Sequence, residues 1–170
     1  MAFPPEIYEL AESVLAAARR KGIRLACAES CTGGLVSAAL TDVPGSSDVF
    51  AGGVVSYALD AKEHVLGIDP ALLYAPGIGA VSSACAEAMA RNVSELFSAD
   101  MAVSVTGIAG PGGEEPGKPV GTVWFACKTP AGIESDVACF AGGRAEVREQ
   151  ALLHALALLY GHLVDLCPSA

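Results

Sequence analysis

The chain has little positive charge and few charged residues of any kind. Only 17% of its 170 residues are charged, and 10 Lys and Arg stand against 19 Asp and Glu, a formal net charge of −9. Because proteins bind nucleic acid largely by neutralising phosphates with Lys and Arg, this balance argues against a nucleic-acid partner. It leaves room for a local basic pocket that binds one phosphate.

Long apolar runs are also missing. No stretch reaches the roughly 18 to 20 apolar residues that a membrane span needs. The N-terminal MAFPPEIYEL has no basic region followed by an apolar one, so no signal peptide is predicted. With 52% hydrophobic residues, the composition favours a single globular domain over residues 1–170. We expect a cytoplasmic protein without a membrane partner.

Metal-binding patterns of cysteine and histidine are absent as well. Only the first two cysteines are near neighbours, and the three histidines supply no second pair for a zinc site. The favoured interpretation is that the cysteines are reduced and serve as small core residues. We therefore expect no metal. The cysteines are Cys27, Cys31, Cys85, Cys127, Cys139 and Cys167.

Helical and strand patterns alternate along the chain. Apolar spacing predicts strands over residues 23–28, 52–58, 101–105, 120–128 and 132–140 and helices over 5–22, 32–41, 60–67, 83–99 and 144–163. The turn TPAG joins the last two strands as an antiparallel hairpin. The predicted fold class is α/β, a three-layer α/β/α domain around a mixed sheet.

Three polar or glycine-rich stretches follow three of the predicted strands. They are AESCTGG, SYALDAK and TGIAGPGG, which begin at residues 28, 56 and 106. Ligands of open α/β sheets bind at the carboxyl ends of the strands. The sequence therefore predicts a site where these stretches meet.

Ser30 has two interpretations. If a helix begins at Cys31 or Thr32, Ser30 is either its N-cap or a nucleophile whose oxyanion meets the first N–H groups. As an isolated serine the cap is favoured. Gly33 and Gly34 shift the balance toward a site, because glycines weaken a helix and let a ligand approach the backbone.

A nucleophilic serine needs a base, and no histidine follows a predicted strand in a triad pattern. Lysine is the alternative when burial lowers its pKa. Lys62 follows the second strand, five residues after Tyr57, which is able to relay a proton. The opposing interpretation is a solvated lysine at a helix end. The histidines are His64, His154 and His162.

Two further patterns concern phosphate. GGEEPGKP, residues 112–119, matches all but the last position of a phosphate loop, but Pro119 replaces the metal-binding hydroxyl and a strand follows. We reject a nucleotide triphosphatase. Arg144 and Arg148 lie one turn apart at a helix start, where they either clamp a phosphate or pair with Glu146 or Glu149.

Taken in order, AESCTGG, SYxxxxK, TGIAGPGG, KPVGTVWFA and FxGxRxxVRxxA resemble the CinA C-terminal domain family, including its stand-alone nicotinamide-mononucleotide amidohydrolases. The resemblance covers residues 6–163. It implies deamidation of nicotinamide mononucleotide to nicotinate mononucleotide and ammonia, without metal or cofactor. The larger CinA proteins add an N-terminal domain acting on nucleotide pyrophosphates, an activity not expected of this sequence.

The resemblance also assigns roles to residues. It implies that Ser30 is the nucleophile, that Lys62 and Tyr57 assist proton transfer and that Thr106 lines the site. The nucleotide phosphate then favours Arg144 as its ligand. The remaining predicted substrate-binding residues are Cys31, Thr32, Gly33, Gly34 and Gly107.

Three positions depart from the family pattern. Leu59 stands where an asparagine is usual, Gly117 where glutamate is common, and Gly143 where aspartate is common. The alternative is therefore a pyridine-nucleotide binding or regulatory module with little turnover. A DNA-uptake role, suggested by the family name, fits poorly with the charge of −9. The apolar last helix favours a homo-oligomer.

Overall fold

A computed structural model describes residues 3–166. Its helices are α1 (Pro5–Lys21), α2 (Leu35–Asp42), α3 (Leu59–His64), α4 (Pro70–Leu73), α5 (Ser83–Phe97) and α6 (Arg144–Asp165), with a 3₁₀ turn at Ser46–Asp48. Its strands are β1 (Leu25–Glu29), β2 (Phe50–Val55), β3 (Met101–Gly107), β4 (Thr122–Thr129) and β5 (Gly132–Cys139).

The five strands form one mixed sheet in the order β2-β1-β3-β4-β5. β1 pairs in parallel with both β2 and β3, whereas β3, β4 and β5 pair antiparallel. β1 is buried along its whole length, as expected of a central parallel strand covered on both faces. The predicted antiparallel hairpin of β4 and β5 is confirmed.

Helices cover both faces of the sheet. α1, α2 and α6 pack together on one face, with apolar side chains such as Val14, Leu40 and Leu156 facing Val103 and Phe125 of the sheet. α5 covers the other face, where Met89 and the short helix α4 complete a second core. The predicted three-layer α/β/α fold is confirmed. Among the helices of residues 3–166, none combines the length and apolarity of a membrane span.

Two helices differ from the sequence prediction. α2 begins at Leu35 and not at Thr32, because Gly33 and Gly34 have φ of 62° and 97°, the left-handed region that breaks a helix. α4 was not predicted. The Asp69 carboxylate accepts the N–H of Ala71 at 2.8 Å and caps it.

The topology brings three chain segments to one edge of the sheet. β2, β1 and β3 are parallel neighbours, so the segments that follow them leave the sheet side by side. These segments are the serine turn (residues 30–34), the start of the β2–α3 connection, and the glycine loop (residues 108–121). The predicted convergence at the carboxyl ends of the strands is confirmed.

Candidate active site

The centre of this edge is a contact between Ser30 and Lys62. Ser30 directly follows β1, and Lys62 lies on α3. The Lys62 Nζ is 2.8 Å from the Ser30 Oγ and donates a second hydrogen bond to the Ser56 carbonyl at 2.5 Å. Lys62 is 1% exposed and Ser30 is 8% exposed. Lys62 is therefore not the solvated helix-end lysine that its position also allowed.

Burial lowers the pKa of Lys62 below its ordinary 10.5, while Cys85 and Cys31 act to raise it. Those two thiols raise it only when they are ionised. Burial raises the pKa of each of them to about 11, so near neutrality both are uncharged and desolvation of the amine remains. A neutral amine beside a hydroxyl can accept its proton, which is how a lysine activates a serine.

Most backbone N–H groups of the serine turn are hydrogen-bonded to oxygen atoms of the protein. Ser30 donates to the Val105 carbonyl at 2.9 Å and Gly33 donates to the Ser30 carbonyl at 3.0 Å. Gly34 donates to a carboxylate of β1 at 3.0 Å. Within residues 3–166 the N–H groups of Cys31 and Thr32 have no oxygen acceptor. The N–H groups of Gly33 and Gly34, which lie in the first turn of the predicted helix, are therefore already occupied and are not free to bind an oxyanion.

The carboxylate that holds Gly34 belongs to Glu29, the last residue of β1, which is fully buried. It accepts the N–H groups of Gly34, Val36 and Ser37 and the Ser37 hydroxyl at 2.7–3.1 Å. This carboxylate caps α2, so the N-cap interpretation of Ser30 is wrong. Glu29 was not predicted from the sequence as a residue of the site. Its signal was an acidic residue at the end of an otherwise apolar strand.

Tyr57 and Arg144 meet beside the serine turn. The Arg144 Nη2 donates to the Tyr57 hydroxyl at 2.6 Å, and its Nη1 donates to the Gly110 carbonyl at 2.9 Å. Tyr57 follows β2 and Gly110 follows β3, the two neighbours of β1, so Arg144 spans the edge beyond Ser30. Within residues 3–166 Tyr57 makes no hydrogen bond to Lys62. Tyr57, which was predicted to relay a proton with Lys62, is therefore hydrogen-bonded to Arg144 instead.

Arg148 takes a different place from Arg144. Its Nε donates to the Cys31 carbonyl at 3.1 Å and its Nη2 to the Thr32 carbonyl at 2.7 Å. The alternative pairing of these arginines with Glu146 or Glu149 does not occur among the described residues. The two arginines contact different parts of the site, and only Arg144 extends to the β2–α3 connection.

Thr106 and Gly107 end β3 beside the serine turn. The Thr106 hydroxyl donates to the Ala80 carbonyl at 2.7 Å, and Thr106 is 1% exposed. A Cβ on Gly107 would lie 2.6 Å from the Thr122 carbonyl oxygen, so packing against β4 requires glycine there. Both residues thus have structural roles, and their contact with a substrate stays a prediction.

Two buried hydroxyls at the site have no hydrogen-bond partner among residues 3–166. Thr32 Oγ1 and Ser56 Oγ make no hydrogen bond within the described residues, although both residues are 0% exposed. Ser56 also supplies the carbonyl that holds Lys62. Burying an unpaired hydroxyl costs about 1–3 kcal/mol, a cost concentrated beside Ser30 and Lys62.

The remaining sequence predictions concern residues away from Ser30. His64 contacts the Asp60 carbonyl, His154 pairs with Asp136 and His162 with Glu134, so no serine–histidine triad forms among the described residues. The glycine loop leads into β4 and not into a helix, as predicted. Residues 3–166 contain no group of three or more His, Cys, Asp or Glu side chains that could hold a metal.

The cysteines of the described residues are free thiols. Cys27, Cys31, Cys85 and Cys127 are buried, and Cys139 is exposed. The prediction of reduced core cysteines is confirmed for the four buried ones. Cys167 lies outside the described residues.

The fold and the site define a three-layer α/β/α domain with a buried serine–lysine pair at the carboxyl edge of its parallel strands. The sequence model of the CinA C-terminal domain family matches residues 7–163 of the chain. The chain belongs to the CinA C-terminal domain family. The sequence resemblance is thereby confirmed.

Individual relatives agree with this assignment. A CinA-like protein of Mycolicibacterium paratuberculosis is 50% identical over 149 residues, which are 85% of this chain and 34% of that protein. One from Desulfotalea psychrophila is 47% identical over 146 residues, 86% of this chain and 35% of that protein. The chain therefore spans about a third of the length of the curated relatives that it matches.

Two solved structures share the fold. The competence damage-inducible protein A of Klebsiella pneumoniae subsp. pneumoniae superposes with a TM-score of 0.90 at 38% identity, covering 95% of this chain and 99% of that one. The competence/damage inducible protein CihA of Agrobacterium tumefaciens gives a TM-score of 0.90 at 40% identity, covering 97% and 99%.

Proposed function

We propose that this domain is an amidohydrolase that converts nicotinamide mononucleotide to nicotinate mononucleotide and ammonia. The observation that carries the proposal is the 2.8 Å contact between the Ser30 hydroxyl and the buried Lys62 amine. The family resemblance supplies the substrate. Serine–lysine pairs activate the hydroxyl without histidine, provided the lysine is neutral.

Lys62 serves as base and then as acid in the proposed reaction. Its neutral amine takes the Ser30 proton while the Oγ forms a bond to the carboxamide carbon. The C–N bond then breaks, and the Lys62 ammonium gives its proton to the leaving nitrogen, which departs as ammonia. Water attacks the resulting ester, Lys62 accepts its proton and returns it to Ser30, and the carboxylic acid is released.

The oxyanion and the phosphate require separate donors. The oxyanion formed during attack is adjacent to the serine turn, where the N–H of Cys31 is the nearest donor along the chain without an oxygen acceptor in residues 3–166. Arg144 is exposed and already binds two oxygens, so a phosphate would exchange for the Tyr57 hydroxyl. The carboxamide and the phosphate of the nucleotide thus bind different segments of the site.

The first test measures ammonia and nicotinate mononucleotide released from nicotinamide mononucleotide with a chelator present. Wild type should release both, and Ser30→Ala should reduce the rate by at least about 10³-fold, because the covalent route is lost. Ser13→Ala is the matched control, since the Ser13 hydroxyl bonds the Glu9 carbonyl within α1. Wild-type release by Ser30→Ala would remove the nucleophile from the proposal.

The alternative, a pyridine-nucleotide binding or regulatory module, is supported by Leu59, which begins α3 and is 38% exposed where the family usually has asparagine. Calorimetry separates the two. Binding of intact nicotinamide mononucleotide without product would favour the module. A cytoplasmic compartment and a homo-oligomer remain part of the proposal.

A further inference from the structure

We infer that Arg148 is a positioning residue that fixes the Cys31 N–H as an oxyanion donor. The inference rests on the proposed function, because an oxyanion arises only if Ser30 attacks a carbonyl. Arg148 lies on α6, and within the serine turn its guanidinium donates only to backbone carbonyls. The assignment replaces the phosphate clamp that the spacing of Arg144 and Arg148 suggested.

The first link is direct. The Arg148 guanidinium holds the carbonyls of Cys31 and Thr32 at 3.1 and 2.7 Å. In a planar trans peptide the N–H points opposite to the carbonyl of the preceding residue. Arg148 therefore turns the N–H groups of Thr32 and Gly33 away from itself.

The second link passes through Gly33. Its N–H, turned by the Thr32 carbonyl, donates to the Ser30 carbonyl at 3.0 Å. The Ser30 carbonyl shares its peptide plane with the Cys31 N–H, so fixing one fixes the other. Arg148 thus orients the Cys31 N–H through two consecutive hydrogen bonds, and each of the three peptide planes between Ser30 and Gly33 is held.

Space around Gly33 supports the same role. Gly33 has φ of 62°, and a Cβ there would lie 3.3 Å from the Arg148 Nη2. The turn therefore needs glycine both for its backbone conformation and for the close approach of Arg148. At the other end of the turn Glu29 accepts the N–H groups of Gly34 and of Val36 in the first turn of α2, so the serine turn is held at both ends.

A positioning role makes a specific kinetic prediction. Losing an oxyanion donor lowers kcat by about 10²- to 10³-fold, because the donor acts only in the transition state. Arg148→Met should therefore reduce kcat about 100-fold with KM within about twofold. Arg148→Lys, which keeps a donor that can reach one carbonyl, should restore part of that loss. A phosphate ligand would instead show as a higher KM with kcat retained.

The experiment compares wild type, Arg148→Met, Arg148→Lys and the control Arg91→Met, an exposed arginine on α5. For each, kcat and KM for nicotinamide mononucleotide are measured across pH, together with amide hydrogen exchange of residues 30–34 in the free protein. Faster exchange at the serine turn in Arg148→Met, an unshifted pH profile and a wild-type Arg91→Met support the inference. Thermal unfolding identifies any variant that fails to fold, and Arg148→Lys then decides.

Two results would overturn the inference. One is exchange at residues 30–34 that is the same in all four folded proteins. The other is a KM increase with unchanged kcat in Arg148→Met. If wild type releases no ammonia, the proposed function fails, and the exchange data alone still decide whether Arg148 holds the serine turn.

Discussion

The serine turn and the glycine loop are two glycine-containing segments that follow neighbouring parallel strands, yet they are built differently. In the serine turn, side chains from β1 and α6 hold the backbone, and Ser30, Cys31 and Thr32 are buried. In the glycine loop, residues 111–117 are exposed, and Glu115 and Lys118 form an isolated antiparallel bridge within the loop. Glycine content therefore does not mark the reactive centre. Buried polar partners from distant segments do.

The largest expected difference is between two lysines that each bind a backbone carbonyl. Lys62→Met should lower kcat at least about 10³-fold, because the only proposed base is lost. Lys118→Met, in the glycine loop, removes an amine that bonds the Ile78 carbonyl and Glu115 and should change kcat less than about threefold. Ammonia release measures both. Equal losses of kcat in Lys62→Met and Lys118→Met would show that the buried lysine is no more important for the reaction than the lysine of the glycine loop.

Stability against pH checks the same lysine. The folded-state pKa of Lys62 is lowered, so the folded state binds fewer protons than the unfolded one between that pKa and 10.5. The contribution of Lys62 to the free energy of unfolding therefore rises with pH in that window. Below the folded-state pKa the buried amine is protonated, and its destabilising effect on the folded state is present in full. Urea unfolding followed from pH 6 up to 10.5, the ordinary pKa of the amine, should show a smaller rise in Lys62→Met than in wild type. Identical slopes would contradict the lowered pKa.

A second comparison concerns two glutamates. Glu29→Gln should cost about 3 kcal/mol, because a buried carboxylate that accepts four hydrogen bonds becomes an amide with one accepting oxygen. Glu115→Gln should cost less than about 1 kcal/mol, since its pair with Lys118 is half-exposed. Urea denaturation measures both free energies of unfolding. A Glu29→Gln cost as small as that of Glu115→Gln would show that the cap is dispensable.

The smallest difference is expected between two glycines with positive φ. Gly33→Ala and Gly117→Ala should each cost about 1–2 kcal/mol from left-handed strain, with φ of 62° and 78°. Only Gly33→Ala should also lower kcat, by about tenfold, because its Cβ would lie 3.3 Å from the Arg148 Nη2 and push it by a few tenths of an ångström. A Cβ on Gly117 meets nothing within 4 Å. If Gly33→Ala kept full kcat, the close approach of Arg148 would not matter for activity.

The sequence predicted the parts of this molecule that depend on local pattern. Apolar runs located the strands, and polar residues at their ends located Ser30 and Lys62. The roles of Glu29 and Arg148 depend on hydrogen bonds to backbone groups of other segments, which no spacing reveals. The start of α2 was placed too early, although Gly33 and Gly34, whose positive φ ends the turn before it, are residues that weaken a helix. α4 did carry a readable signal, an aspartate N-cap followed by Pro70.

The burial of the cysteines determines which thiols of the protein react with alkylating reagents. A thiol with a pKa of about 11, such as Cys31, is about one part in 10⁴ thiolate at neutral pH, and thiolate is the reactive form. Cys139 is exposed on β5, and β3 and β4 separate that strand from β1. In a Cys167→Ser background, a maleimide dye therefore attaches at Cys139 and leaves the thiol beside Ser30 unmodified.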